Sequence, residues 1–209
     1  MDRSSAYALL ARLLAYAAVA GCAFESIVRA AATSSGDTRW LSRDEGPIEL
    51  GQLAAIVVTG VLLFLPARTT PRLAQLLRLL ACLAMLGAMR ELDNVFLQLG
   101  WRSGYLWVGL PFALYAAALV ARTRGGLLGQ IAIFARSPAF ALLAAGFFVI
   151  VVYAQLIGQK ALWIAVLGPD VYRPAKDLIE ESSELLGYLL IVFGAAEAYL
   201  TTGGSSREA

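Results

Sequence analysis

Six stretches of this chain are apolar over lengths near the ~20 residues that a helix needs to cross a bilayer, and no other feature constrains the fold as strongly. They cover residues 7–31, 48–65, 72–98, 105–120, 139–167 and 175–200. A membrane interior offers the backbone no water, so spanning segments satisfy their N–H and C=O groups internally, as helices do. Composition agrees: 59% of residues are apolar and 15% charged, with a mean hydropathy of +0.70, against roughly 45–50% and about 25% in soluble domains. The expectation is an all-α membrane protein, a bundle of six transmembrane helices in one transmembrane domain over residues 1–209. A soluble helical bundle is the alternative that the composition disfavours.

The first run follows Met1-Asp2-Arg3, as a signal peptide would. It is too long for a secretory h-region, and Glu25 and Arg29 interrupt it, so it reads as a retained span in which those two residues pair four apart. A polar loop at residues 33–45 contains Gly36, Asp37, Trp40, Arg43 and Asp44, and Pro47 suits the first turn of the second helix. Pro66, Thr69, Thr70 and Pro71 form a turn, Pro111 predicts a bend in the fourth span, and residues 127–135 predict a short interfacial helix. Gly168-Pro169-Asp170 makes the last turn, and residues 201–209 form a Gly/Ser-rich tail. Trp101, Tyr105, Trp107 and Trp163 read as an aromatic belt.

Loop charge sets the orientation. With six alternating spans, Arg3, Arg12, Arg68, Arg72, Arg78, Arg122, Arg124 and Arg136 share one side, whereas Arg39, Arg43, Arg102, Arg173 and Lys176 lie opposite, mixed with acids. Both termini are therefore expected on the cytoplasmic side. The Ala/Arg/Leu-rich coding suggests a bacterial cytoplasmic (inner) membrane. No basic tract points to nucleic acid. The chain has no His, which removes His-ligated haem, most zinc sites and Ser-His catalysis. No cofactor is expected. Cys22 and Cys82 fall in opposite halves of the bilayer and are not expected to form a disulfide. No motif ties the chain to a family.

The segment from Lys176 to Glu184 carries the chemistry. Asp177, Glu180, Glu181 and Glu184 recur at i, i+3, i+4 and i+7, one face of a helix that continues into the apolar run 185–196. On the six-span topology, Glu25, Glu49 with Gln52, Arg90, Glu91, Asp93 and Asn94, and Gln155, Gln159 and Lys160 all fall in the same outer half. Ionisable groups within spans are costly and need partners. Arg90 is the expected central cation, forking onto Glu181 or Glu184 with Asp93 as a local alternative, and Lys160 takes another acid. Carboxylates outnumber these two cations, so protonation or a bound cation must neutralise the surplus. All-oxygen ligands suit a divalent hard cation, with Glu181, Glu184 and Asp93 as its ligands. A plain rim of interfacial charges is the alternative. Gly187, Gly194, Ala195 and Ala196 predict a close helix neighbour, and Glu197 is expected to snorkel to headgroups or water.

Three functions fit. An Arg/carboxylate network can staple helices in a structural or accessory subunit of a membrane assembly. The same groups can serve a proton- or cation-linked transporter, or a binding protein for a small cationic ligand. A carboxylate-dependent membrane enzyme is the weakest reading, because no nucleophile or phosphate-binding loop supports it and no catalytic residue can be named. The expected partners are the lipid bilayer and a homo-oligomer or larger membrane complex.

Overall fold

The structure, a computed structural model, describes residues 3–33, 40–41 and 46–203. Most of the polar loop at residues 33–45 and the end of the C-terminal tail lie outside the described residues, which contain helices and turns but no strand. The helices are α1 (Arg3–Thr33), α2 (Pro47–Phe64), α3 (Ala74–Glu91), α4 (Asp93–Gln98), α5 (Gly104–Phe134), α6 (Pro138–Phe148), α7 (Gln155–Ile157), α8 (Lys160–Leu167) and α9 (Tyr172–Gly203). A 3-10 turn at Pro66–Arg68 follows α2, and a π-helical turn at Val149–Ala154 joins α6 to α7.

Five segments are long and apolar enough to cross a membrane: Ala6–Thr33, Pro47–Arg68, Gly104–Thr123, Pro138–Ile157 and Tyr172–Thr202. The chain is thus a multi-pass helical membrane protein. The expected third span behaves differently. Helix α3 matches α2 at 18 residues but carries Arg78, Arg90 and Glu91. The chain then breaks at Leu92 and restarts as α4.

Two other expectations need adjustment. Helix α5 keeps helical dihedrals through Pro111 and kinks instead at Thr123, with φ −127° and ψ 15°. The Thr123 hydroxyl donates to the Leu119 carbonyl at 2.5 Å, a back-bond that bends helices, and Gly125 and Gly126 follow. Beyond the kink lies the short apolar helix Gly125–Phe134. Its Gln130 accepts from the Leu76 N–H at 2.9 Å and donates to Gln75 at 3.0 Å, satisfying an orphan donor in the first turn of α3. The expected fifth span ends at Ile157 rather than 167. A Cβ on Gly158 would meet the Glu180 carboxylate, the movable end of a side chain of α9. The Trp163 indole donates to the Ile157 carbonyl at 2.5 Å, so this residue closes a helix end and is more than a belt aromatic.

Helices α5, α3, α2, α9 and α6 pack side by side in that order, and α1 leans on the free side of α9. Lipid is as apolar as leucine, so membrane helices associate through close packing and polar bonds rather than through the hydrophobic effect. The α6–α9 seam shows such packing. A Cβ on Gly146 would lie 2.5 Å from the Gly187 carbonyl oxygen, and one on Gly194 would lie 2.9 Å from that of Ala139. The expected close approach at Gly187 and Gly194 is therefore formed, with α6 as the neighbour. At one end of the bundle Leu63, Leu77, Phe134, Ala139, Ala195 and Ala198 form a buried cluster. At the other, Leu41, Ile48 and Leu185 pack with Ile27, Ala30, Ala31 and Leu178.

Replacing Gly146 by Ala should destabilise the protein by ~1–3 kcal/mol, the usual cost of overpacking. Gly21→Ala, where a Cβ meets nothing within 4 Å, should be neutral or stabilising by up to ~1 kcal/mol. Chemical unfolding of both variants in detergent measures the contrast.

Candidate functional site

Helix α9 presents carboxylates to every side of the bundle. The acidic stripe does not act as one unit. Lys176, half-buried one turn earlier, pairs with Glu180 and lies 3.4 Å from Asp177. A helix rotates ~100° per residue, so Glu181 and Glu184, three apart, point ~60° from one another and reach different neighbours. Gln52 of α2 is 1% exposed, and its amide donates to the Glu181 carboxylate and to the Glu181 backbone carbonyl, both at 3.0 Å. Glu184 accepts from Gln155 at 3.3 Å, which the π-helical turn delivers to that side. The Tyr188 hydroxyl, one turn further along α9, donates to Glu91 of α3 at 2.9 Å.

The expected central cation makes no direct ion pair with a described residue. Arg90 is exposed and, among the described residues, lies within 4.0 Å of no carboxylate. It sits on the last turn of α3, near enough for its charge to act on Glu184 and Tyr188 of α9, but the predicted fork onto Glu181 or Glu184 is not formed. Lys160 also takes no acid: it begins α8 beyond the break at Gly158, exposed, with its ammonium 6.0 Å from the Tyr172 ring. Gln159 is exposed in the same break. Glu49 lies half-buried in the first turn of α2, where a carboxylate suits the helix N-terminus. Asp93 opens α4 with one carboxylate oxygen buried and unbonded. Among the described residues, no three carboxylates or cysteines converge as a metal would require; the suggested ligand set Glu181, Glu184 and Asp93 is therefore not assembled. The predicted Glu25–Arg29 pair is present at 2.8 Å and exposed.

The most enclosed ionisable group lies at the opposite end. Glu197 is 0% exposed, contrary to the snorkelling expected of it. Arg12 of α1 grips it side-on, Nε to Oε1 at 2.6 Å and Nη2 to Oε2 at 3.1 Å, and the Tyr16 hydroxyl donates to Oε1 at 3.0 Å. Such bidentate, charge-assisted bonds are the strong ones. One turn along both helices, the Tyr16 ring stacks on Phe193 with centroids 4.5 Å apart and planes 10° from parallel. The pairs Arg12/Tyr16 and Phe193/Glu197 each sit four residues apart, on facing sides of two antiparallel helices. That matched spacing was available in the sequence as a signal, but Arg12 had been assigned to the loop-charge bias instead.

No protein-family model, curated protein or solved structure matches this chain.

Removing Arg12 leaves a buried carboxylate without its counter-charge, so Arg12→Leu should cost ~3–5 kcal/mol. Arg12→Leu with Glu197→Leu should recover most of that loss, because the second change removes the stranded charge. Unfolding titrations of the two single variants and the double variant give the coupling directly.

Proposed function

We propose that this chain is a structural or accessory subunit of a membrane assembly, resident in a bacterial inner membrane and crossing it six times with both termini in the cytoplasm. The sixth crossing in this reading is α3, which packs between α2 and α5. The supporting observation is the distribution of polar bonds on α9. Glu197 binds α1, Glu181 binds Gln52 of α2, Tyr188 binds Glu91 of α3, and Glu184 binds Gln155 beyond α6. Four bonds to four different segments are what a staple needs and more than a ligand site requires. The orientation rests on the Arg-only turns near the chain termini.

A second reading, a proton-linked transporter or a binding protein for a small cationic ligand, has one observation in its favour. Glu91, Glu181 and Glu184 have neutral hydrogen-bond partners only, Tyr188, Gln52 and Gln155, so nothing bonded to them fixes their charge. The two readings differ in what each side chain controls. As a staple, Tyr188→Phe should cost ~1–3 kcal/mol by stranding a half-buried acceptor, and the unfolding midpoint should be indifferent to Na⁺, Mg²⁺ or a small organic cation at constant ionic strength. A cation-dependent rise in midpoint that Glu184→Gln abolishes would establish the transport reading. A particle that is a lone monodisperse chain after gentle extraction from native membranes would refute the accessory role.

Topology is checked separately, in a background of Cys22→Ser and Cys82→Ser. Ser103→Cys should react with a membrane-impermeant maleimide on intact cells, and Arg136→Cys only after permeabilisation.

A further inference from the structure

Helices α2 and α5 both pack on α3 but scarcely on one another, which leaves a groove between them with α3 as its floor. It has a volume of about 440 Å³, within the ~300–1,000 Å³ typical of ligand clefts. Val61 and Phe64 form one wall, Phe112 and Tyr115 the other, and Cys82 and Met85 lie beneath. No charged side chain lines it. One turn beyond Phe64, Arg68 lies with its guanidinium 4.9 Å from the Phe64 ring centre. Arg68 is exposed and, among the described residues, has no carboxylate partner. Its neighbours in sequence carry no acid. The stretches 50–90 and 94–169, which contain the α2–α3 and α5–α6 turns, hold no Asp or Glu, whereas Arg68, Arg72, Arg78, Arg122, Arg124 and Arg136 lie on or beside those turns.

We propose that this groove seats one acyl chain of an anionic phospholipid whose phosphate is bound by Arg68. Charge complementarity argues for the headgroup: basic pockets between membrane helices select anionic lipids, and a guanidinium matches a phosphate in two parallel bonds. Size argues for the tail. A neighbouring helix is 10–12 Å across and needs a trough along its whole length. This groove follows only residues 60–65 of α2 and 111–115 of α5, a turn and a half, which suits a slender hydrocarbon chain. The cation–π contact holds Arg68 against Phe64, one wall of the groove, so the headgroup and the tail are read at adjoining positions.

The test uses the full chain purified in detergent, with dioleoyl phosphatidylglycerol or dioleoyl phosphatidylcholine added and bound lipid counted by native mass spectrometry. One phosphatidylglycerol per chain should bind, with phosphatidylcholine roughly tenfold weaker, the ratio expected from one charged hydrogen-bonded contact. Arg68→Gln should weaken phosphatidylglycerol by a similar factor. Arg136→Gln, at an exposed arginine of the same end that does not line the groove, should leave it unchanged. A second measurement follows the tail. With Val61→Cys in a background of Cys22→Ser and Cys82→Ser, bimane labelling should slow several-fold with phosphatidylglycerol and not with glycerol phosphate. Equal binding of the two lipids, no effect of Arg68→Gln, or equal losses in both arginine variants would overturn the proposal. Lipid binding that leaves Val61→Cys labelling unchanged, or protection by glycerol phosphate alone, would overturn it too.

Discussion

A carboxylate closed off from solvent among apolar helices is tolerable only if a donor reaches it, and that requirement shapes the position of α9. Glu197 has no exposed surface, and the segments of α9 that carry acids would be costly in hydrocarbon without partners. Each donor comes from a different part of the chain: Arg12 and Tyr16 near its beginning, Gln52 on α2 and Gln155 after the π-helical turn. Satisfying α9 therefore fixes where three other segments lie. The backbone contact with α6 works on the same helix by a different means. Gly146, Gly187 and Gly194 bring carbonyls and α-carbons together, supplying the dispersion contacts that replace a hydrophobic driving force in lipid.

The helix order follows from this. With α9 packed on α2 and α6 and joined to α1, the remaining helices α3 and α5 extend the row on the α2 side. A row has more perimeter than a closed bundle, and apolar side chains such as Leu14 on α1, Leu106 on α5 and Phe147 on α6 face outward. On a soluble protein that pattern would mark association surfaces. On a chain with five membrane-length apolar helices it is the face that lipid covers.

Which parts of this were legible depends on the kind of signal. The existence and limits of α1, α2 and α9 were, because a run of apolar residues bounded by Pro or polar residues states its own ends. The close approach at Gly187 and Gly194 was legible as well, since only glycine lets backbones touch. The break at Gly158 was not. Gln159 leaves the helical region at φ −65° and ψ 119° inside an apolar run, and the carboxylate of α9 beside Gly158 belongs to a residue 22 positions away that no local pattern brings there. The failure at Arg90 has a similar cause. Depth in the membrane can be counted along a helix at ~1.5 Å per residue, and depth placed Arg90 level with Glu184. Direction around the helix decides pairing, and it depends on which neighbour each helix chooses. Glu197 was misjudged for the complementary reason: near a chain end, exposure is the default, and only the Arg12/Tyr16 spacing on α1 argues against it.

The two ends of the bundle differ in chemistry as well as in charge. At the α9 acid end Glu91, Glu181 and Glu184 are bonded to amides and a phenol, and the Lys176 ammonium serves Glu180 and Asp177. At the other end the one fully buried acid among the described residues, Glu197, is already neutralised by Arg12, and among the described residues no carboxylate pairs with the arginines of the α2–α3 and α5–α6 turns. Cationic groups without internal partners on a membrane protein are complemented by the anionic headgroups of the leaflet they face. That links the loop-charge asymmetry, on which the proposed orientation rests, to the groove at Arg68. The same surplus of guanidinium groups from which a cytoplasmic placement of this end is proposed includes Arg68, held against the Phe64 wall of the groove.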